Sequence, residues 1–152
     1  MWKTRLIGKS LLLVGILLVS ITLLNFWQDT QQVASPRSII YDTRFVQAMD
    51  NITHIVPADA VLMVSTNAPY VVYFTGHTAK VPFGLVSKDA LVNYMLVKGY
   101  LFLIVFQGRS DEPRLRTLFG QAGQKDLESS FARLAEYHTD FSVILVYQLM
   151  SS

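Results

Sequence analysis

Asp59 to Phe106 reads DAVLMVSTNAPYVVYFTGHTAKVPFGLVSKDALVNYMLVKGYLFLIVF. Two runs within it, Ala60–Ser65 (AVLMVS) and Tyr100–Phe106 (YLFLIVF), are short, apolar and free of charge. Their β-branched content at that length is the pattern of strands buried on both faces. Thr66 and Asn67 are helix N-cap residue types and Pro69 suits a first helical turn, so Ala68–Thr75 reads as a two-turn helix. Gly76 closes it as a left-handed C-terminal cap. Thr78–Val81 forms a second short strand, stopped by Pro82. Ser87-Lys88-Asp89 opens another helix, with Leu91, Tyr94 or Met95, and Lys98 down one side, and Gly99 ends it. Strand, helix, strand, helix, strand is a βαβαβ unit, which implies parallel pairing through right-handed crossovers.

Outward from this unit the signals are weaker. Upstream, Ser35-Pro36 offers an N-cap and a first-turn proline. Apolar residues then recur at Ile40 or Tyr41, Phe45, Ala48 or Met49, Ile52 and Ile55, the period of an amphipathic helix that ends before Pro57. Downstream, Gln107–Pro113 reads as a polar loop, Arg114–Phe119 as a short helix and Gly120–Lys125 as a mobile loop. Phe131–His138 alternates imperfectly, Phe141–Leu149 (FSVILVYQL) reads as a strand, and Thr139-Asp140 is a hairpin turn between them.

The N-terminal region has a different character. Ser10–Trp27 (SLLLVGILLVSITLLNFW) is eighteen residues without a charge, and at about 1.5 Å per residue it nearly crosses a ~30 Å hydrocarbon core. Leu6, Ile7 and the stem of Lys9 extend it, and Trp2 and Trp27 stand where aromatic rings favour the headgroup zone. Lys3, Arg5 and Lys9 crowd the N-terminal flank, so the positive-inside tendency directs Met1 to the cytoplasm and the remainder outside. A cleaved signal peptide has a shorter apolar core and a small-x-small cleavage site, neither of which is present. The expected division is a cytoplasmic tail (1–9), a single-pass signal-anchor (10–27), a linker (28–38) and an extracytoplasmic α/β domain (39–152). The expected fold class is therefore α/β: one N-terminal transmembrane helix followed by a small βαβαβ domain, its sheet mostly parallel, with a C-terminal hairpin.

Composition narrows the function classes. Lys3, Arg5 and Lys9 are three of 13 basic residues; the ten that remain face all 11 acidic ones, a net charge of −1 beyond the anchor. The pI near 8.9 thus reflects the membrane flank, and no nucleic-acid partner is expected. The absence of cysteine excludes disulfides, thiol catalysis and thiolate metal sites. His54, His77 and His138 lack metal-ligand spacing, so surface or capping roles and no metal are expected. Asp111-Glu112 is a carboxylate pair in a polar loop, but sequence neighbours rarely converge on one glycosidic bond. No nucleophile elbow, phosphate-binding loop or dinucleotide fingerprint occurs, and no catalytic residue or cofactor is assigned. Asn51-Ile52-Thr53 is an N-glycosylation acceptor triplet.

Pro57, Asp59, Ala60 and Val61 form a P-x-D-A-V strand entry. Tyr70, Tyr73, Thr75 and Gly76 form a Y-x-x-Y-x-T-G helix end, and Val81-Pro82 closes the next strand. With these motifs the segment from Tyr41 to Leu149 resembles the C-terminal extracytoplasmic domain of multi-spanning polyprenyl-phosphate-sugar-dependent glycosyltransferases, the dolichyl-phosphate-mannose protein mannosyltransferase type. The resemblance implies a non-catalytic lobe, because catalysis in that family is attributed to acidic residues in loops between earlier transmembrane helices. No catalytic residue carries over.

One candidate site follows from the strands themselves. If strands 60–65 and 100–106 are parallel neighbours, their C-terminal ends form the crevice where open α/β sheets hold ligands. Ser65, Thr66 and Asn67 then face Gln107, Arg109 and Ser110, and helix N-terminal amides with Arg109 suit an anion such as phosphate or carboxylate. The expected function is a membrane-anchored accessory or binding module, non-catalytic alone, whose partners are the lipid bilayer and a membrane protein or glycosyltransferase complex. The competing readings are a split lobe of an active transferase contributing acceptor recognition, and a small single-span subunit of another membrane complex.

Overall fold

The computed structural model describes residues 42–150. The expected tail (1–9), anchor (10–27), linker (28–38) and helix start at Ser35-Pro36 lie outside the described residues. Among the described residues no helix is long and apolar enough to cross a membrane. The order is α1 (Thr43–Ile55), β1 (Val61–Val64), α2 (Ala68–Thr75), β2 (Thr78–Lys80), α3 (Lys88–Lys98), β3 (Phe102–Phe106), two 3₁₀ turns (Pro113–Leu115 and Gln121–Gly123), α4 (Gln124–Glu128), β4 (Phe131–His138) and β5 (Val143–Leu149).

The five strands form one sheet in the order β2-β1-β3-β5-β4. β1 pairs in parallel with β2 and with β3, whereas β5 is antiparallel to both β3 and β4. The sheet is therefore mixed, which corrects the expectation of a mostly parallel one. The cause lies in the closing hairpin. Its turn at Thr139–Ser142 forces β4 and β5 antiparallel, and β5, apolar on both faces, takes the inner place beside β3. β4, largely exposed, is left at the edge. A bulge between Arg133 and Ala135 shifts its register, which accounts for the imperfect alternation of the sequence there. Bulge and charges together blunt this edge against further pairing.

Helix ends follow the capping chemistry with two exceptions. Gly76 and Gly99 take positive φ (72° and 70°) to end α2 and α3, and Ser87 Oγ accepts from the Ala90 amide at the start of α3. The first exception is α1. Asp42 is extended and its Oδ1 accepts from the amides of Arg44 (2.9 Å) and Phe45 (3.2 Å), so α1, which opens at Thr43, is capped by a residue that the sequence pattern did not single out. The second is Asn67, which stands at the N-cap position of α2 in the left-handed region (φ 61°) and makes no side-chain cap. Asn tolerates that conformation, and it turns the chain out of β1. The segment expected as a mobile loop, Gly120–Lys125, is instead a 3₁₀ turn running into α4. Gly123 permits it, since a Cβ there would overlap the carbonyl oxygens of Thr117 and Leu118.

Alternation along the central strands divides the core into two sides. On one, Leu91 and Met95 of α3 pack with Met63, Leu103, Val105, Leu115, Phe119, Leu127, Phe131, Leu145, Tyr147 and Leu149. On the other, Phe102, Ile104 and Phe106 point toward α1, whose Phe45 ring stacks on Phe106 at 6.3 Å. The step from β1 to β2 runs outward through α2; the step from β2 back across β1 to β3 runs through α3 on the opposite face. Reversing direction while changing face keeps both crossovers of one hand. One polar group disturbs this packing. The Tyr147 hydroxyl is buried and has no hydrogen-bond partner among the described residues. Burial pushes its phenol up to about 12, with the Glu128 and Glu136 carboxylates adding and Arg133 opposing.

Candidate functional site

The parallel pairing of β1 with β3 brings their C-terminal ends together, with Val64 opposite Ile104. Chain direction reverses across this pair, since β2 lies to one side of β1 and β3 to the other, and open α/β sheets hold ligands at such points. Ser65 ends the ladder there in an unusual way. Its amide donates to Ile104 O (2.9 Å), as parallel pairing requires, and the Phe106 amide should then donate to Ser65 O. It donates instead to Ser65 Oγ (2.9 Å), which frees Ser65 O to accept from the Asp111 amide (2.9 Å). One buried hydroxyl thus releases β1 from β3 and captures the loop that follows β3.

The neighbouring groups reinforce that capture. Thr66 Oγ1 donates to Asp111 Oδ1 at 2.8 Å. Ser110 Oγ, in a buried residue, accepts from the Glu112 amide. Glu112 in turn accepts from the Gly84 amide through Oε2 and the Arg114 amide through Oε1. The Asp111-Glu112 pair is therefore a clasp: one carboxylate holds Thr66, the other joins the loop after β2 to the loop after β3.

Of the six residues expected around the crevice, Ser65, Thr66 and Ser110 are engaged in these internal bonds. Asn67 forms the left-handed turn and accepts through its carbonyl from the Tyr70 and Val71 amides. Pro69 has no amide hydrogen, so the N-terminus of α2 offers an incoming anion few donors. The Asp111 carboxylate also lies against Thr66, where that anion was expected. Gln107 and Arg109 occupy the rim; Arg109 is exposed and forms no ion pair among the described residues.

A second feature lies on α2. Pro69, Val72 and Tyr73, spaced i, i+3, i+4, form one exposed stripe, with Tyr73 79% accessible and Val72 42%. Beneath it an aromatic chain leads inward: Tyr73 to Phe74 at 5.0 Å, Phe74 to Phe45 at 5.7 Å, Phe45 to Phe106 at 6.3 Å. Only Val71 of α2 is fully buried. The helix is apolar all round yet covered on one side, and no Asp, Glu, Lys or Arg occurs between Asp59 and Lys80.

No protein-family profile matches the chain, and no curated relative does. Among solved structures it is similar to the C-terminal globular domain of an oligosaccharyltransferase from Archaeoglobus fulgidus. Identity is 8% and the TM-score 0.47, over 71% of this chain and 97% of that one.

The remaining singled-out residues are dispersed. Asn51 is exposed on α1, but Ile52 of its triplet is fully buried and Thr53 Oγ1 donates to Asp50 O at 2.6 Å. His54 and His138 are exposed, His138 beside Glu136 at 3.0 Å. His77 is buried, contrary to a surface role, and its Nε2 lies 3.0 Å from Pro57 O. No group of three His, Asp or Glu among the described residues is placed to hold a metal ion. Sequence reasoning missed Asp42 altogether. Besides capping α1, this buried carboxylate accepts from the Asp140 amide (3.2 Å) in the β4–β5 turn. An Asp just before an amphipathic run was the available signal.

Proposed function

We propose that this chain is a membrane-anchored, single-pass extracytoplasmic accessory module. It is related to the C-terminal lobe of the dolichyl-phosphate-mannose protein mannosyltransferase type of glycosyltransferase, and it acts by binding and assembly, not by turnover on its own. The observation that carries the reading is the clasp at the ends of β1 and β3. The groups that a catalytic α/β domain turns toward a ligand are here bonded to the chain itself, Ser65 to Phe106 and Asp111, Thr66 to Asp111. The uncharged Ser10–Trp27 run with its basic flank supports the anchor and its direction, and the Pro57–Val61 and Tyr70–Gly76 motifs support the kinship. The test is extraction of the full chain from its native membrane in gentle detergent, followed by identification of what co-purifies. A multi-spanning glycosyltransferase in stoichiometric yield is the expected result; a chain that elutes alone counts against the reading.

The exposed Arg109 at the crevice rim favours a second reading, a split lobe that contributes acceptor recognition to a separate transferase. That role predicts binding of anionic acceptors or sugar phosphates that Arg109→Ala removes. Binding unaffected by that change excludes it.

A further inference from the structure

We infer that the exposed face of α2, formed by Pro69, Val72 and Tyr73, docks on the surface of the lipid bilayer. This rests on the membrane-anchored reading. Three observations converge on a lipid surface as the occupant. The first is chemistry: the stripe is apolar, it is centred on a 79% exposed tyrosine, and its stretch of chain holds no Asp, Glu, Lys or Arg from residue 60 to residue 79. A tyrosine with an apolar body and a polar tip suits the headgroup boundary.

The second is rigidity. Tyr73 is backed by Phe74, Phe45 and Phe106 in a continuous aromatic chain, so the face is presented by the core and not by a loop. The third is tether length. Residues 28–41, fourteen in all, separate Trp27 from Asp42. Fully extended they reach about 50 Å, against a radius of gyration near 13 Å for a domain of this size. The domain is thus held near the bilayer at high effective concentration, where a small face of modest intrinsic affinity suffices. Further exposed apolar side chains include Phe83 and Val86 in the loop after β2, and Leu96 and Val97 of α3 beside Lys98. The α3 pair lies on the opposite side of the sheet from α2, so it serves as a control that cannot share a plane with the α2 stripe.

The chain has no cysteine, which makes site-directed spin labelling clean. Pro69→Cys and, as a control, Val97→Cys are labelled with a nitroxide in the full chain and reconstituted in phosphatidylcholine vesicles. The ratio of collisions with oxygen to those with a polar nickel chelate reports depth. A ratio several-fold higher at 69 than at 97, unchanged in high salt and lost when Tyr73→Asp is added, is the expected result. A low ratio at 69 in a chain that resists alkaline extraction overturns the docking and leaves the anchor standing. Extraction of the chain by alkali overturns both. A label at 69 shielded from both collision partners means protein contact, and that also overturns the proposal.

Discussion

Ser65→Ala removes one oxygen from a fully buried position. The Phe106 amide, in a buried residue, then loses its acceptor. An unpaired buried donor costs about 1–3 kcal/mol. Ser65 O cannot recover the bond without releasing the Asp111 amide, so the loss moves along the clasp and does not disappear. A central value of about 2 kcal/mol is expected. For roughly 110 ordered residues the unfolding entropy is about 0.2 kcal/mol/K, so the melting temperature falls by about 8–10 °C. Thr66→Val, which deletes only the exposed bond to Asp111, should cost less than about 1 kcal/mol. Both variants are compared with the parent chain in detergent by thermal melts followed by circular dichroism. A Ser65→Ala melting temperature within 2 °C of the parent's refutes the assignment of the hydroxyl as the ladder's terminal acceptor.

Three further outcomes follow from the core and its caps. Ile104→Asp places an unpaired charge at a fully buried position between β1 and β5 and should cost several kcal/mol, enough to abolish cooperative melting. Tyr147→Phe removes a buried hydroxyl without a partner and should be neutral or stabilising by about 1 kcal/mol. The folded phenol titrates near 12 and the unfolded one near 10, so the unfolded state gives up its proton first. The contribution of Tyr147 to stability is complete below pH 10 and is lost from there to pH 12, on the order of 2–3 kcal/mol, and Tyr147→Phe removes that part of the decline in urea titrations across the window. Asp42→Ser keeps an acceptor for the α1 amides but loses Asp140. It should therefore destabilise by about 1 kcal/mol, against about 2–3 for Asp42→Ala, in the same melts.

The strands, helices and glycine caps of residues 60–106 were legible in the sequence because their signals are local. Buried runs such as AVLMVS and YLFLIVF admit few other readings, and Gly76 and Gly99 follow from backbone sterics. The mixed character of the sheet was not legible, because the inner place beside β3 is won by comparing the burial of β5 with that of β4, a tertiary competition. The crevice was found by topology alone; that its groups are bonded to one another was not. The bonds of Ser65 to Phe106 and of Thr66 to Asp111 span 41 and 45 residues, and no local pattern encodes such pairings. Asp42 was missed for the same reason in part: its cap is local, but its bond to Asp140 spans 98 residues.

The central claim is that this chain binds and assembles and does not transfer sugars by itself. The most direct measurement is to incubate the full chain, purified in detergent, with lipid-linked sugar donors and peptide or glycan acceptors, and to follow product. No product above the protein-free background is the result the account predicts. Turnover that disappears in Asp111→Asn or Glu112→Gln, in variants whose melts show the fold retained, contradicts it and makes the clasp an active site.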